Sequence, residues 1–546
     1  MEKLLNVKLV PTSKVKTGLT LSLFVIIGII IWLYDFTIKP VQPKIEGIPE
    51  IKGNSIIYGI LEKLADDHPT NLEKFSKERN LPVFQCLMGT QRIVFINSYE
   101  SAMEWFIKNQ SSLIDRPLFY TFHKLVSTSQ GLTIGTSPWD ETCKKRRLNV
   151  QRYMTTPAIR ERSNLIDLEG YSLLKDLFRD SQNKFIYPYK YTQRLALNFT
   201  TMLSYATRFN DIETPLLQEI LDIVKIISSF RSTNNNIQDF VPFVRLLPEN
   251  DRKREAVKAG KTRDIWLDKL TREAINHKDE RKSIVGDFAN AEIDSNGFKN
   301  SRLNLEDIKS ICVGLVSGGF ETIGSTASLI FMQLVSEQGH EWQERVYNEL
   351  INQYGDIETA YDKVLLEEKC EFSISFIREL LRMYAVIPLI PARKTSKEFQ
   401  YNGYTIPQGI TVILNAQAAN HDKQQFGETV DEFKPDRFIG NSHINTPPYH
   451  FTFGAGSRAC TAINLSNRIL YVILTRTCLL FKVMGDPNRK PIVDYINYAD
   501  DRSAQTYWPK DFGMKLIVRD ENMVNKCLNK SYEHCKEEMG YSIECN

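Results

Sequence analysis

At 546 residues, 42% hydrophobic and 25% charged, the chain has the make-up of a packed globular body and not of a disordered one. Lysines and arginines number 69 against 66 aspartates and glutamates; a net charge of +3 with the signs interspersed gives no reason to propose a nucleic-acid partner. Nine cysteines, an odd total with no C-x-x-C pair, argue against a disulfide framework or a zinc site and suit a reducing compartment.

Residues 1–17 form a basic lead containing Lys8, Lys14 and Lys16. Gly18 to Tyr34 (GLTLSLFVIIGIIIWLY) follows, almost wholly apolar. As a helix it would span about 25 Å, slightly short of a ~30 Å hydrocarbon core, with Trp32 and Tyr34 where an aromatic belt would sit. No small-residue cleavage site follows it, so a retained single-span anchor is expected over a signal peptide. The three lysines alone would favour a cytosolic N-terminus. Residues 35–54, rich in proline and glycine, cannot continue the helix and read as a hinge. The expected body is 55–519, followed by a charged tail at 520–546.

Val83 to Leu87 and Arg92 to Ile96 read as two short strands. Trp139 opens a basic helix (WDETCKKRRLNV), whose charges suit a solvated face or the docking of an acidic partner. From Ser163 to Lys299 the chain is largely amphipathic helix, interrupted at Asp239 to Arg245, with no obvious chemistry. Asn304 is a good N-cap, with Asp307 three residues on, for a long apolar helix from Leu305 to about Val335.

The middle of that helix reads S-G-G-F-E-T-I-G-S-T. Adjacent glycines cost about 1 kcal/mol each relative to alanine. They serve close helix packing beside a surface acid, or a local opening with room for a small molecule such as water, next to Glu321 and Thr322. Glu379 and Arg382 lie i to i+3 on an apolar helix (Phe376 to Tyr384) and need partners if buried; Arg437, in F-K-P-D-R-F, is the expected third member. An E-x-x-R pair alone is usually a surface ion pair. Val386 to Lys394, with Ile390 and Arg393, is an extended segment suited to line a cavity. Tyr401 to Leu414 reads as a hairpin turning at Ile406–Gly409, and Met514 to Val518 as a last strand.

The most informative stretch is Phe453 to Cys460, F-G-A-G-S-R-A-C. Gly454 and Gly456 allow close backbone approach to a flat ligand, with N–H groups aimed at the sulfur of Cys460. Arg458 is placed to meet an anionic group on the same ligand. Ile463 to Val483 reads as a buried helix whose N-terminal end favours a thiolate.

These residues resemble the F-x-x-G-x-R-x-C-x-G loop of the cytochrome P-450 family at every position but the last, where Ala462 stands. The likeness extends from about Pro40 to Arg519 and includes the A-G-x-D/E-T-T motif, with Ile323 in place of the second threonine, and the E-x-x-R helix. It implies a mainly α cytochrome P-450 fold with a small β-rich lobe after one transmembrane helix, of a membrane-anchored fungal or yeast type. It implies haem b with Cys460 as axial thiolate, cradled by Phe453, Gly454 and Gly456. Arg458, Arg393 and Trp139 would hold its propionates; Cys143 stands where the family has a basic residue after the tryptophan, which leaves open whether one of Lys144, Lys145, Arg146 and Arg147 takes that part. It implies that Glu321 and Thr322 deliver protons and that Glu379, Arg382 and Arg437 lock the cysteine loop.

Electrons would come from NADPH through a cytochrome P-450 reductase. The body would face the cytosol from the endoplasmic reticulum membrane, against the lysine count. Gly318, Val386 and Ile390, with the loop Leu118 to Leu132, are expected to bound a small-molecule substrate. The expected activity is a monooxygenase of secondary metabolism, on a cyclic dipeptide on the way to pulcherriminic acid. The alternative is an aromatic acid, since T-I-G-T-S-P-W-D-E-T-C-K-K-R-R is similar to fungal members that hydroxylate phenylacetate. A haem protein that does not activate oxygen is the alternative of another class, and the Glu321–Thr322 pair argues against it.

Overall fold

The computed structural model describes residues 13–127, 133–234, 236–248, 251–290 and 303–541. Helices dominate, as the three-to-four spacing of apolar residues predicts. The longest described helix, Leu305–Leu334, is the cavity helix; the Asn304 side chain accepts from Asp307 N while the Asp307 carboxylate accepts from Asn304 N, a closed capping box. It packs against the buried helix Tyr189–Tyr205. Gly319 permits that contact: a Cβ there would come within 2.7 Å of Thr200 Cγ2. The backbone helix runs unbroken through Gly318 and Gly319, so of the two readings of these glycines the close packing is formed and the local opening is not, while the acid beside them, Glu321, is buried.

The β lobe is a four-stranded sheet of β1 (Val83–Met88), β2 (Gln91–Ile96), β3 (Arg393–Lys394) and β6 (Thr411–Leu414) in the order β1-β2-β6-β3. Strand β6 runs parallel to β2 and the other neighbours are antiparallel. The expected hairpin is corrected here. Its two arms are β4 (Phe399–Tyr401) and β5 (Tyr404–Ile406), turning at Asn402 and Gly403, both with positive φ (48° and 81°). Asn-Gly is the turn pair that matches strand twist; the Ile406–Gly409 stretch instead leads the chain into β6. The helix after the cysteine loop, Ile463–Leu480, also stops earlier than predicted. Phe481–Gly485 becomes β7 and pairs with β8 (Met514–Val518).

The anchor segment lies within helix Ser13–Thr37, and its side chains from Leu23 to Tyr34 are exposed. The segment read as a hinge is pinned: Ile45, Ile48 and Ile51 are buried, Gln85 Nε2 donates to the carbonyls of Ile45 (2.7 Å) and Ile48 (2.6 Å), and Arg92 pairs with Glu50 at 2.7 Å. The predicted charged tail is a helix, Glu521–Met539, docked by one face (Val524, Cys527, Ser531, Cys535). Asp167 fastens it, accepting from Arg476 (2.6 Å), Ser531 (2.6 Å) and His534 (2.7 Å). Residues 1–12 and 128–132, parts of the predicted basic lead and substrate loop, lie outside the described residues.

Candidate functional site

Gly454 (φ 69°) and Gly456 (φ 60°) both sit in the left-handed region, and a Cβ on Gly456 would fall 2.1 Å from the Phe106 carbonyl oxygen. That forces the loop tightly back on itself. Gly454 N donates to Phe451 O at 2.8 Å and Cys460 N to Phe453 O at 2.9 Å. Cys460 thereby presents Sγ to an internal cavity of about 370 Å³, and its accessible surface lies on that cavity. Burial raises the thiol's pKa, opposed by the N–H of Ala462, 3.4 Å from the sulfur, and by the charge of Arg147.

Behind the loop, Glu379 and Arg382 are wholly buried on helix Glu371–Met383. Glu379 accepts from Arg382 Nε (2.7 Å) and Nη2 (2.9 Å), from Arg437 Nε (3.0 Å) and from Lys434 N (2.9 Å). Arg382 Nη1 donates to Asn420 O at 2.9 Å, and the Asn420 side chain accepts from Phe451 N (2.8 Å) and donates to Thr452 Oγ1 (3.1 Å). The triad therefore reaches the cysteine loop through one asparagine, which the sequence did not single out.

Above the cysteine four arginines gather. Arg458 donates to Ser137 O (2.8 Å), Arg393 to Ala455 O (2.8 Å), Arg116 to Ala392 O (2.8 Å) and Arg147 to Ala459 O (3.1 Å). None forms an ion pair with a described carboxylate. The Nε atoms of Arg116, Arg393 and Arg458 are buried without a hydrogen-bond partner. Burial depresses the pKa of all four; repulsion by Arg458 and Arg147 helps bring Arg393 to about 9, and burial takes Arg458 to about 10. Such a cluster fits a ligand with two carboxylates.

Trp139 donates its backbone N–H to Asp115 Oδ1 (2.7 Å) and its ring lies under the Arg458 guanidinium, 5.6 Å from Cζ to the ring centroid, but it does not line the cavity; neither do Arg393 and Gly456. On the basic helix, Arg147, one helical turn beyond Cys143, is the residue that lines the cavity. Only its four-residue offset from Cys143 could have pointed to it. Arg116, in D-R-P, carried no sequence signal.

Facing the cavity from the helix Leu305–Leu334 are Gly318, Glu321 and Thr322, and from the extended segment Val386 and Ile390; Phe453, Gly454, Arg458 and Cys460 complete the predicted set. A Cβ on Gly318 would meet nothing within 4 Å, so this glycine leaves space where Gly319 permits packing. Thr322 Oγ1 donates to Gly318 O at 2.8 Å, which leaves its oxygen free as an acceptor. Burial raises the Glu321 carboxyl to about 7, against the charges of Arg231 and Lys225 and the nearby hydroxyls of Ser228 and Thr506. The region from Ser163 to Lys299, where the sequence showed no chemistry, supplies Phe230 to Asn234 to the cavity wall.

A mostly helical body around an internal cavity, with one cysteine facing a ring of uncompensated arginines, has the build of a haem-thiolate protein. The chain belongs to the cytochrome P-450 family, whose model matches residues 49–497. It is 36% identical over 517 residues to phenylacetate 2-hydroxylase of Emericella nidulans, covering 93% of this chain and 98% of that protein. It is 29% identical over 487 residues to 3-hydroxyphenylacetate 6-hydroxylase of the same organism (88% and 91%). It is 28% identical over 527 residues to a cytochrome P-450 monooxygenase of Mycosarcoma maydis (94% and 95%). The protein is accordingly a cytochrome P-450 monooxygenase that uses haem with cysteine-thiolate ligation and electrons from a reductase.

Proposed function

We propose that the protein hydroxylates a small aromatic acid of the arylacetate class. The observation that carries this reading is the near end-to-end similarity to a phenylacetate hydroxylase, and the cavity chemistry agrees with it: Phe119, Phe122, Phe199, Phe230 and Phe240 line it. Of the substrates weighed from the sequence, the relatives favour the aromatic acid over the cyclic dipeptide.

When bound, the haem supplies activation of dioxygen, one atom entering a C–H bond and the other leaving as water with two electrons and two protons. The chain's own residues do the rest. Cys460 supplies the thiolate, and the Ala462 N–H steadies its charge. Arg116, Arg147 and Arg458 on the cavity wall would hold the two propionates, with Arg393 just behind that wall, while Phe453 and Gly454 would let the backbone approach the ring and Gly456 keeps the turn tight against Phe106. Glu321, poised near neutrality, holds and releases a proton inside the cavity, and Thr322 accepts a hydrogen bond beside it. Glu379, Arg382 and Arg437 keep the cysteine loop fixed through Asn420. Gly318, Val386 and Ile390 bound the space left for substrate.

The membrane anchor is part of the same proposal. It draws support from the exposed apolar run Leu23 to Tyr34 and from the exposed Leu246 and Leu247 on the body. The endoplasmic reticulum, with the body in the cytosol, is the expected location, and removal of residues 1–37 should release the body from the membrane fraction. Full-length protein with reductase, NADPH and ¹⁸O₂ should convert phenylacetate to a product carrying one labelled oxygen, read by mass spectrometry. If arylacetates are untouched while cyclodileucine is oxidised, the cyclic-dipeptide reading replaces this one.

A further inference from the structure

Among the described residues of the cavity wall, Arg231 is a cation that the haem-facing arginines do not account for. Arg231 follows the amphipathic helix Pro215–Ser229, where the chain turns through Phe230 to Asn234 along the cavity. Arg116, Arg147 and Arg458 are each tied to backbone carbonyls, but the Arg231 side chain makes no hydrogen bond or ion pair with any described residue. Its Nε is buried and unpartnered. The guanidinium is held by stacking alone, with Cζ 4.8 Å from the centroid of the Phe122 ring. His123, on the same wall, also has an unpartnered ring nitrogen, Nε2. Glu321 shares the cavity and attracts this charge through space, but the two side chains form no ion pair or hydrogen bond.

A guanidinium with no hydrogen-bonded acceptor among the described residues, stacked on a phenylalanine, is costly. An acid entering the cavity would provide one, in the planar two-point geometry that guanidinium and carboxylate share. We propose that Arg231 anchors the carboxylate of the substrate, so that the cavity selects small aromatic monoanions over their neutral analogues. The aromatic ring then fills the phenylalanine-lined remainder, and the contact with Phe122 keeps the guanidinium oriented before the acid arrives. The stretch S-F-R-S-T-N carried one sequence hint, a lone arginine among small polar residues after an apolar helix face.

This inference rests on the aromatic-acid reading, and its test separates the two. Calorimetric titration of substrate-free holoenzyme with phenylacetate and with phenylacetamide should show the acid preferred by roughly 30-fold or more, the scale for a buried charge pair. Arg231→Gln should collapse that ratio towards one. Arg231→Lys, which keeps the charge and guards against a folding failure, should restore part of it. A wild-type protein indifferent to the acid, or an Arg231→Gln variant that weakens acid and amide equally, would overturn the anchor. Phenylacetate hydroxylated by both proteins with the same KM would leave the aromatic-acid reading standing without the anchor. Arg231-dependent binding of acids that are never oxygenated would leave the anchor and remove the reading.

Discussion

Two groups of buried charges lie close to the cysteine loop and are built on opposite plans. Behind the loop, the Glu379 carboxylate is satisfied by two arginines and a backbone N–H. Against the C-terminal helix, Asp167 is likewise satisfied by Arg476, Ser531 and His534. On the cavity side, Arg116, Arg147, Arg393 and Arg458 hold only carbonyl oxygens and repel one another. Buried charges that are fully paired belong to the scaffold. Buried charges of one sign, held in place by neutral acceptors, are set for an anion that comes from outside the chain.

Breaking the metal side of this arrangement should have the largest effect. Cys460→Ser is expected to abolish turnover and the thiolate signature of the reduced, carbon-monoxide-bound spectrum. A variant that keeps both would remove the basis for placing the ligand at this residue. Glu379→Ala comes next: leaving Arg382 and Arg437 buried without their acid should cost about 3–5 kcal/mol. The loss should appear in thermal unfolding of apo and holo protein alike, because the triad is complete without ligand.

Glu321→Gln should act only within a pH window. The folded carboxyl titrates at about 7 against a usual 4.5. Wild-type stability from this group is therefore full below about pH 4.5 and is lost as pH rises through 7. The glutamine variant lacks that loss and should be the more stable protein at pH 8, by up to about 3 kcal/mol, while turning over more slowly. Parallel melting-temperature profiles for the two proteins from pH 5 to 8 would show that Glu321 is not the group responsible.

How far the sequence could be read follows the same division. The capping box at Asn304 and Asp307, β1 and β2, the final strand and the E-x-x-R triad were legible because each is a local pattern or a short fixed spacing. The hairpin was misplaced because a proline-glycine stretch outweighed Asn402-Gly403, although Asn-Gly is the stronger turn signal. The docked C-terminal helix was missed because its apolar stripe, Val524, Cys527, Ser531 and Cys535, is thin and half polar. Arg116 and Arg231 were missed, and Arg147 was left undecided among four adjacent basic residues, for a different reason. A single arginine has no pattern, and its meaning comes from which carboxylates are not beside it, which only the folded chain displays.

Arg393 gives that difference its sharpest measurement. Its guanidinium is held by Leu113 O (3.1 Å) and Ala455 O (2.8 Å), with Nε unpartnered and Arg458 and Arg147 repelling it. Arg393→Leu removes two hydrogen bonds but also a buried, uncompensated charge, so the apo protein should unfold at nearly the same temperature as wild type. The holo protein should lose one charge-assisted contact to an anion, worth about 1.5–3 kcal/mol. That corresponds to roughly 10- to 150-fold faster loss of haem to an acceptor protein at equal association rates. The pattern is thus opposite to that of Glu379→Ala, which lowers both forms together. If Arg393→Leu destabilises the apo protein as much as the holo, the arginine is scaffold like the triad, and unpaired buried charge is not the mark of a ligand here.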